Sequence, residues 1–338
     1  MKIKLVAIAS ASLLALSSGA AVAQDLTISL WGGGYAEEFR RIVVEPFEKA
    51  HNVKVTLDTG LSGERLAKLM ATGGRGTDLV YFTDYQMAEL AKRGLLQPVD
   101  KKALTNMDAL QDFARDPFGD GSCPAFTVAA VGLAYNSQLM KEAPTSWKQV
   151  VDADLPGKKG FPDINISYGP LTLGMISQLE GGSLEDMDPG FAKIASVKKN
   201  LQIFTGREIL DAINQGDVPL APHLNIMVRK DDSVPLRFTF PQEGGLGVLN
   251  LVCMIKGSEK SELAQQFIDF HLSKEIQSEM LVKQGEGTVR TDVETPSESK
   301  YNLISAENLA RLKFFNVNTI VSNRADWISR WQEEVIAE

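Results

Sequence analysis

The stretch LTISLWGGGYAEEFRRIVVEPFEKA, residues 26–50, decides how the rest of the chain is read. Residues 26–30 alternate apolar and polar side chains, the period-two pattern of a strand. After three glycines, Phe39, Ile42, Val43, Phe47 and Ala50 fall on one face of a helix, with Glu37 and Glu38 in its first turn. Pro46 is expected to kink or end that helix. The same pairing of strand and helix recurs twice. Residues 53–57 repeat the strand pattern before SGERLAKLMA, a helix with Leu66, Leu69 and Met70 on one side. DLVYF (78–82) is a mostly apolar strand, and YQMAELAKRG after it is a helix stopped by Gly94. Such strand–helix repeats predict a parallel α/β sheet.

In an open sheet of this kind, ligands sit beyond the carboxyl ends of the strands, where loops enter helix N-termini. WGGGY (31–35), TGLSG (59–63) and FTDY (82–85) all occupy that position. Glycine there lets backbone N–H groups approach a ligand closely. A tight turn alone asks for the same residue, but three such loops in succession favour a ligand site. The spacing lacks the later glycine of a dinucleotide fingerprint.

Beyond residue 100 the pattern restarts. AFTVAAVGLAYNSQLM (125–140) reads as a long strand and then a helix, while GKKGFPDI, LQIF and DVPLAP read as short strands. Helices are expected near 171–179 and 207–215, the second stopped by Gly216. FTFPQEGGLGVLNLVCMI (238–255) returns as extended chain, and helical patterns cover 262–282, 306–314 and 324–336. The result is two α/β lobes joined by more than one strand.

Residues 1–23 read as a cleavable secretory signal: Lys2 and Lys4, an apolar run, then Ala21 and Ala23 before Gln24. The expected location is the periplasm. About 315 residues remain, enough for two lobes. Losing two lysines moves the formal charge from -8 to -10. With no long basic run, neither nucleic acid nor anionic membrane is an expected partner. An oxidising compartment allows one disulfide between Cys123 and Cys253, and two buried thiols are the alternative.

Several segments together resemble the extracellular solute-binding proteins of bacterial ABC importers, in the branch that covers polyamine, iron(III) and opine ligands. They are LWGGGY, TDLVYFTDYQMAELAKRGLLQPVD (77–100), VGLAYNSQLM (131–140), PTSWKQVVD (144–152), GKKGFPD, INQGDVPLAP (213–222) and FPQEGGLGVLNLVCMIKGSEKSELAQQFIDFHLS (240–273). Any one is weak; in this order they span nearly all of the exported chain. The resemblance implies a two-lobed periplasmic-binding-protein fold, each lobe a mainly parallel sheet flanked by helices, joined by hinge strands. It implies a first lobe of 24–127 plus 253–290 and a second of 128–252 plus 291–338. Crossovers would lie near 126–131 and 251–255, with Cys123 and Cys253 beside the hinge. It further implies a monomer that presents a small solute to a membrane permease, with no cofactor, no metal and no catalysis.

For the solute, Trp31, Gly33, Tyr35, Ser62, Thr83 and Asp84 are the first-lobe candidates; Tyr168, Thr205, His223, Glu243 and Asn250 are those of the second and the return strand. Asp84 and Glu243 offer charge to an ammonium group; Trp31, Tyr35, Tyr85 and Tyr168 offer aromatic faces. Ser62, Thr83 and Asp84 have helix capping as the competing role. Thr205 and Gly206 precede a helix, so their backbone donors suit a carboxylate, with Arg207 as an assistant. The resembled polyamine binders carry Trp and, two residues on, Asp where this chain has Val248 and Asn250. A spermidine-like dication would lose part of its recognition, which favours an amino-acid-like, opine-like or singly charged amine solute. The six tyrosines are never adjacent, unlike those of iron-binding relatives. An exported enzyme is the rival class, yet His51, His223 and His271 form no metal-spacing motif and no G-x-S-x-G elbow is present. A ligand-sensing receptor subunit would share every feature above.

Overall fold

The computed structural model describes residues 25–152, 155, 157–206 and 208–337; the predicted signal segment 1–23 and Arg207 lie outside them. Strand β1 (Asp25–Trp31) leads through Gly32 and Gly33 into α1 (Gly34–Phe39). The helix does not end at Pro46. Arg40–Val44 widens into π-helical winding, and Pro46 then stands in the first turn of α2 (Glu45–His51), where a missing N–H costs least. β2 (Lys54–Gly60), α3 (Ser62–Thr72), β3 (Leu79–Thr83) and α4 (Asp84–Lys92) complete the three repeats. β1 pairs in parallel with both β2 and β3, so three carboxyl ends open on one edge.

β4 (Leu96–Gln97) and α5 (Asp112–Arg115) lead to the long β5 (Ala125–Asn136). The helix expected after it is replaced by a turn, because Asn136 Oδ1 accepts the N–H groups of Gln138 and Leu139. Next come β6 (Lys159–Pro162), α6 (Gly169–Leu179), α7 (Asp188–Val197), β7 (Leu201–Phe204), α8 (Glu208–Gln215), β8 (Leu220–Leu224) and β9 (Leu236–Thr239). Sequence pattern alone misses α7, whose one clear signal is Pro189 in its first turn.

β10 (Leu246–Ile255), α9 (Ser261–His271), α10 (Lys274–Gln284), β11 (Gly287–Thr288), α11 (Ala306–Ala310) and α12 (Val317–Arg330) close the chain. The helix expected over 306–314 stops at Ala310, since Lys313 exchanges backbone hydrogen bonds with Gly245 and Gly247 instead.

β5 and β10 position everything else. The main sheet runs β11-β5-β10-β3-β1-β2, with β8 and β9 also on β5; β6 and β7 form a small parallel pair. The first half of β10 lies antiparallel to β5 and the second half antiparallel to β3. Past Val131, β5 pairs with β8 and β9 instead. Two hydrophobic cores share these strands by alternation. Val128, Ala130, Leu249 and Leu251 belong to the first core; Ala129, Val131, Leu246 and Val248 belong to the second. That double duty explains why AFTVAAVGLA is apolar on both faces.

Ile304 packs in the first core, whereas Ile320, Trp327 and Trp331 pack in the second. Cys123 and Cys253 are bonded, with Cα atoms 4.8 Å apart, and both sit in the first core where β5 begins. Among the described residues no helix is long and apolar enough to cross a membrane.

Candidate functional site

The carboxyl ends of β1, β2 and β3 build one wall. Gly33 takes φ 66°, open to a glycine at no cost, and nothing stands near where a side chain would start. Trp31 Nε1 donates to Ser62 Oγ at 3.0 Å, so Ser62 fixes the indole rather than capping α3. Tyr35 meets the Trp31 ring edge-on at 5.3 Å. Under this cluster lies Arg65, which pattern reading missed because it shares the apolar side of α3. It donates to Ser29 Oγ (3.2 Å) and the Tyr81 carbonyl (2.9 Å), and its guanidinium rests on the rings of Phe82 and Trp31. Burial lowers its pKa to about 10, so the group stays charged at neutral pH.

At the end of β3, Thr83 Oγ1 donates to Gln86 Oε1 (3.2 Å), and the Thr83 backbone faces Asn250 across the ladder. Asp84 is the first residue of α4, not its N-cap. Its carboxylate accepts the N–H of Tyr85 (2.8 Å) and of Leu249 in β10 (3.3 Å). Burial pushes its pKa up to about 6, with those two N–H groups pulling the other way. Asp84 is thus tied to backbone rather than presented to a solute.

On the opposite wall, Tyr168 precedes α6 and its ring lies 5.4 Å from that of His223 in β8. Burial raises the Tyr168 phenol, with the nearby Glu208 carboxylate adding to it. The donors of Thr205 and Gly206 do hold a carboxylate, but it is the protein's own. Glu208 Oε1 accepts both backbone N–H groups (2.7 and 2.8 Å) and the Thr205 hydroxyl (3.1 Å). The N–H of Glu208 itself, and then those hydrogen bonds, keep its carboxyl below the usual carboxylate range. Thr205 therefore lies near Tyr168 with its donors already used, a correction to the solute-carboxylate expectation.

Glu243 is a second correction. Its carboxylate accepts the Ser146 hydroxyl and, at 3.4 Å, the Trp147 N–H, so it anchors the start of a short helix. Neither partner is a candidate site residue. Asn250 Nδ2 donates to Thr127 Oγ1 (2.9 Å), stitching β10 to β5 at the junction. Val248 is buried in the second core. The aromatic faces are also partly spoken for, since Arg65 covers Trp31 and Arg324 lies 5.1 Å over Tyr85.

A cavity of about 720 Å³ opens between the lobes. Tyr35 and Glu286 line it from one side, Ile226, Met227 and Arg229 from the other, with Tyr301 beside them. Glu286, set between Gly285 and Gly287, carried no sequence signal beyond that glycine pair. Burial pushes its carboxyl up to about 8, against a lowering influence from Tyr35. Tyr35 Oη and Glu286 Oε2 are both buried, and although neither meets strict hydrogen-bond geometry, they lie close enough that each acts on the other's proton as a loosely aligned phenol–carboxyl pair. A buried pair held by loose mutual geometry leaves room for a better-placed donor.

The profile of the bacterial extracellular solute-binding protein family matches residues 43–306. The chain belongs to that family. This solute-binding protein is 24% identical over 281 residues to the spermidine/putrescine-binding periplasmic protein of Salmonella typhimurium, covering 80% of each chain. It is 27% identical over 218 residues to a putative 2-aminoethylphosphonate-binding periplasmic protein of the same species, covering 60% of this chain and 62% of that one. A solved structure of an ABC transporter from Clostridium perfringens superposes at a TM-score of 0.82 with 22% identity, over 92% of this chain and 99% of the other. The two-lobed fold expected for a solute-binding protein is thereby shown. Among the described residues of this solute-binding protein, no group of three or more His, Cys, Asp or Glu is placed to hold a metal ion.

Proposed function

We propose that this protein is the periplasmic capture component of an ABC importer, holding a small polar organic amine between its lobes and passing it to the permease. The observation that carries this is the buried Tyr35–Glu286 pair, a loosely aligned phenol and carboxyl that back a cavity lined by both lobes. An ammonium group brings the Glu286 carboxylate well-aligned donors and a positive charge. The named ligands of the two curated relatives are also amines. A long polyamine is disfavoured, because Val248 and Asn250 serve packing and strand pairing, and the Trp31 and Tyr85 rings already carry guanidinium groups.

The working cycle follows from the shared strands. Residues 25–127 with 253–290 move as one lobe and most of 128–252 with the C-terminal helix as the other, bending where β5 and β10 change cores. Solute bound on one wall recruits the opposite wall and shifts the population toward a closed form. The protein acts as a monomer, without cofactor or turnover.

A thermal-shift panel of polyamines, amino acids, opines and quaternary amines on the mature protein tests this, since a ligand that binds the folded state raises its melting temperature. At least one amine is expected to give a saturable rise. A panel in which only non-amines shift the melting point, or in which an amine is consumed, would end the proposal.

A further inference from the structure

Where β5 changes cores, one of its edges has a gap. Thr127 and Val128 pair there with β11, and the ladder to β8 starts only at Val131. Ala130 lies in between and is fully enclosed, so its N–H needs a partner from somewhere other than a strand. Asn225 directly follows β8 and is itself fully buried. Its Oδ1 accepts the Ala130 N–H at 2.9 Å and closes the gap.

The other end of the same carboxamide holds a different segment. Asn225 Nδ2 donates to the Asn302 carbonyl at 2.7 Å, and Asn302 Nδ2 donates back to the Val228 carbonyl. The Lys230 N–H donates to the Lys300 carbonyl (2.8 Å), and Arg229 and Tyr301 form an antiparallel bridge. Residues 225–230 and 300–302 are thus one stapled unit. It supplies Ile226, Met227, Arg229, Lys300 and Tyr301 to the cavity that Tyr35 and Glu286 line. Leu224 and Ile226 fasten the unit to the second core. Tyr301 fastens it to the first lobe: its hydroxyl donates to the Lys283 carbonyl in α10 (2.7 Å), and a Cβ on Gly285 would stand 2.3 Å from its ring.

We infer that Asn225 is the positioning residue of the interlobe bend, pinning the cavity-lining loops 226–229 and 300–301 to β5 so that this end of the cavity stays assembled as the lobes part. The inference rests on the cleft being the solute site and adds what holds one wall of it together. A carboxamide suits the place, since it offers one acceptor and one donor to two buried backbone groups without bringing in a charge. Tyr301 and Asn302 are consecutive, one held by the first lobe and the other by the second. The lobes therefore stay joined at this edge, and opening is left to the rest of the cleft.

Two variants of the mature protein test it. Asn225→Leu keeps the volume and removes both polar ends; Asn302→Ala cuts only the bond to Val228 and decides the matter where the first variant loses its cooperative melt. In X-ray scattering of the solute-free protein, both are expected to show a larger radius of gyration than wild type, Asn225→Leu the more so. Calorimetric titration with putrescine as the probe amine is expected to show binding weaker by about tenfold for Asn225→Leu and about threefold for Asn302→Ala, because a smaller share of molecules holds the assembled wall. A purely structural core residue would lower the melting temperature and leave the radius and the putrescine affinity as they are; that result overturns the inference. Absence of putrescine binding by wild type counts against the amine reading alone. Scattering then decides, and equal radii overturn the inference.

Discussion

Replacing Glu286 by Gln is expected to remove most of the pH dependence of stability between pH 6 and pH 8. The carboxyl is buried, and its pKa stands at about 8 in the folded protein against an ordinary value of 4.5. Below 4.5 it is protonated whether the chain is folded or not, so burial costs no ionisation. As pH rises toward 8, the unfolded chain releases the proton while the folded chain retains it, and the free energy of unfolding falls. At about 1.4 kcal/mol per pH unit, the full window is worth at most about 5 kcal/mol, and the part from pH 6 to 8 about 2.5 kcal/mol. Asp84, raised to about 6, loses its contribution mainly below that interval. Buried His271, lowered to about 3, adds somewhat under about 1 kcal/mol as pH rises through the interval, so Glu286 dominates with the opposite sign. Urea unfolding followed by tryptophan fluorescence at pH 6 and pH 8 reads the difference directly. Wild type is expected to lose about 1.5 kcal/mol across the interval and Glu286→Gln to lose nothing or gain slightly. An amine solute, by pairing with the carboxylate, is expected to bind tighter at pH 8 and to restore the lost stability. Parallel pH curves for the two proteins would refute the buried-carboxyl argument.

Two further outcomes test the framework around the site. Reducing the Cys123–Cys253 bond frees a loop closed over 130 residues, worth about 5 kcal/mol in the chain-entropy account; an unchanged urea midpoint in reductant would contradict it. Glu243→Ala removes the acceptor for Ser146 and Trp147 and is expected to cost roughly 1–2 kcal/mol of stability with solute affinity held. Lost affinity at unchanged stability would return Glu243 to the binding site.

How far the sequence reaches is clearest residue by residue. The ends of β1, β3 and α4, and the stops at Gly94 and Gly216, follow from spacing and glycine alone, because each depends on neighbours a few positions away. The same local logic placed anion-seeking donors at Thr205 and Gly206, and a carboxylate does occupy them. Its owner, Glu208, was three residues away and still unread, since a solute and a side chain satisfy the donors equally well. The missed residues fail differently. Arg65 looks like a stray charge on an apolar helix face, and Glu286 like a loop acid, until folding strips both of water.

What the amino-acid order determined by itself is the alternation of strands and helices, the two lobes, and the glycine-opened turns at the strand ends, since periodicity and backbone freedom are properties of short stretches. Only the tertiary structure decided which charges are spent and which are free. Glu243 finds Ser146 across 97 positions, and Asp84 finds Leu249 across 165. Arg324 reaches Tyr85 from the far lobe. Hydrogen bonding and desolvation act through space, and the order of residues along the chain carries no record of those distances.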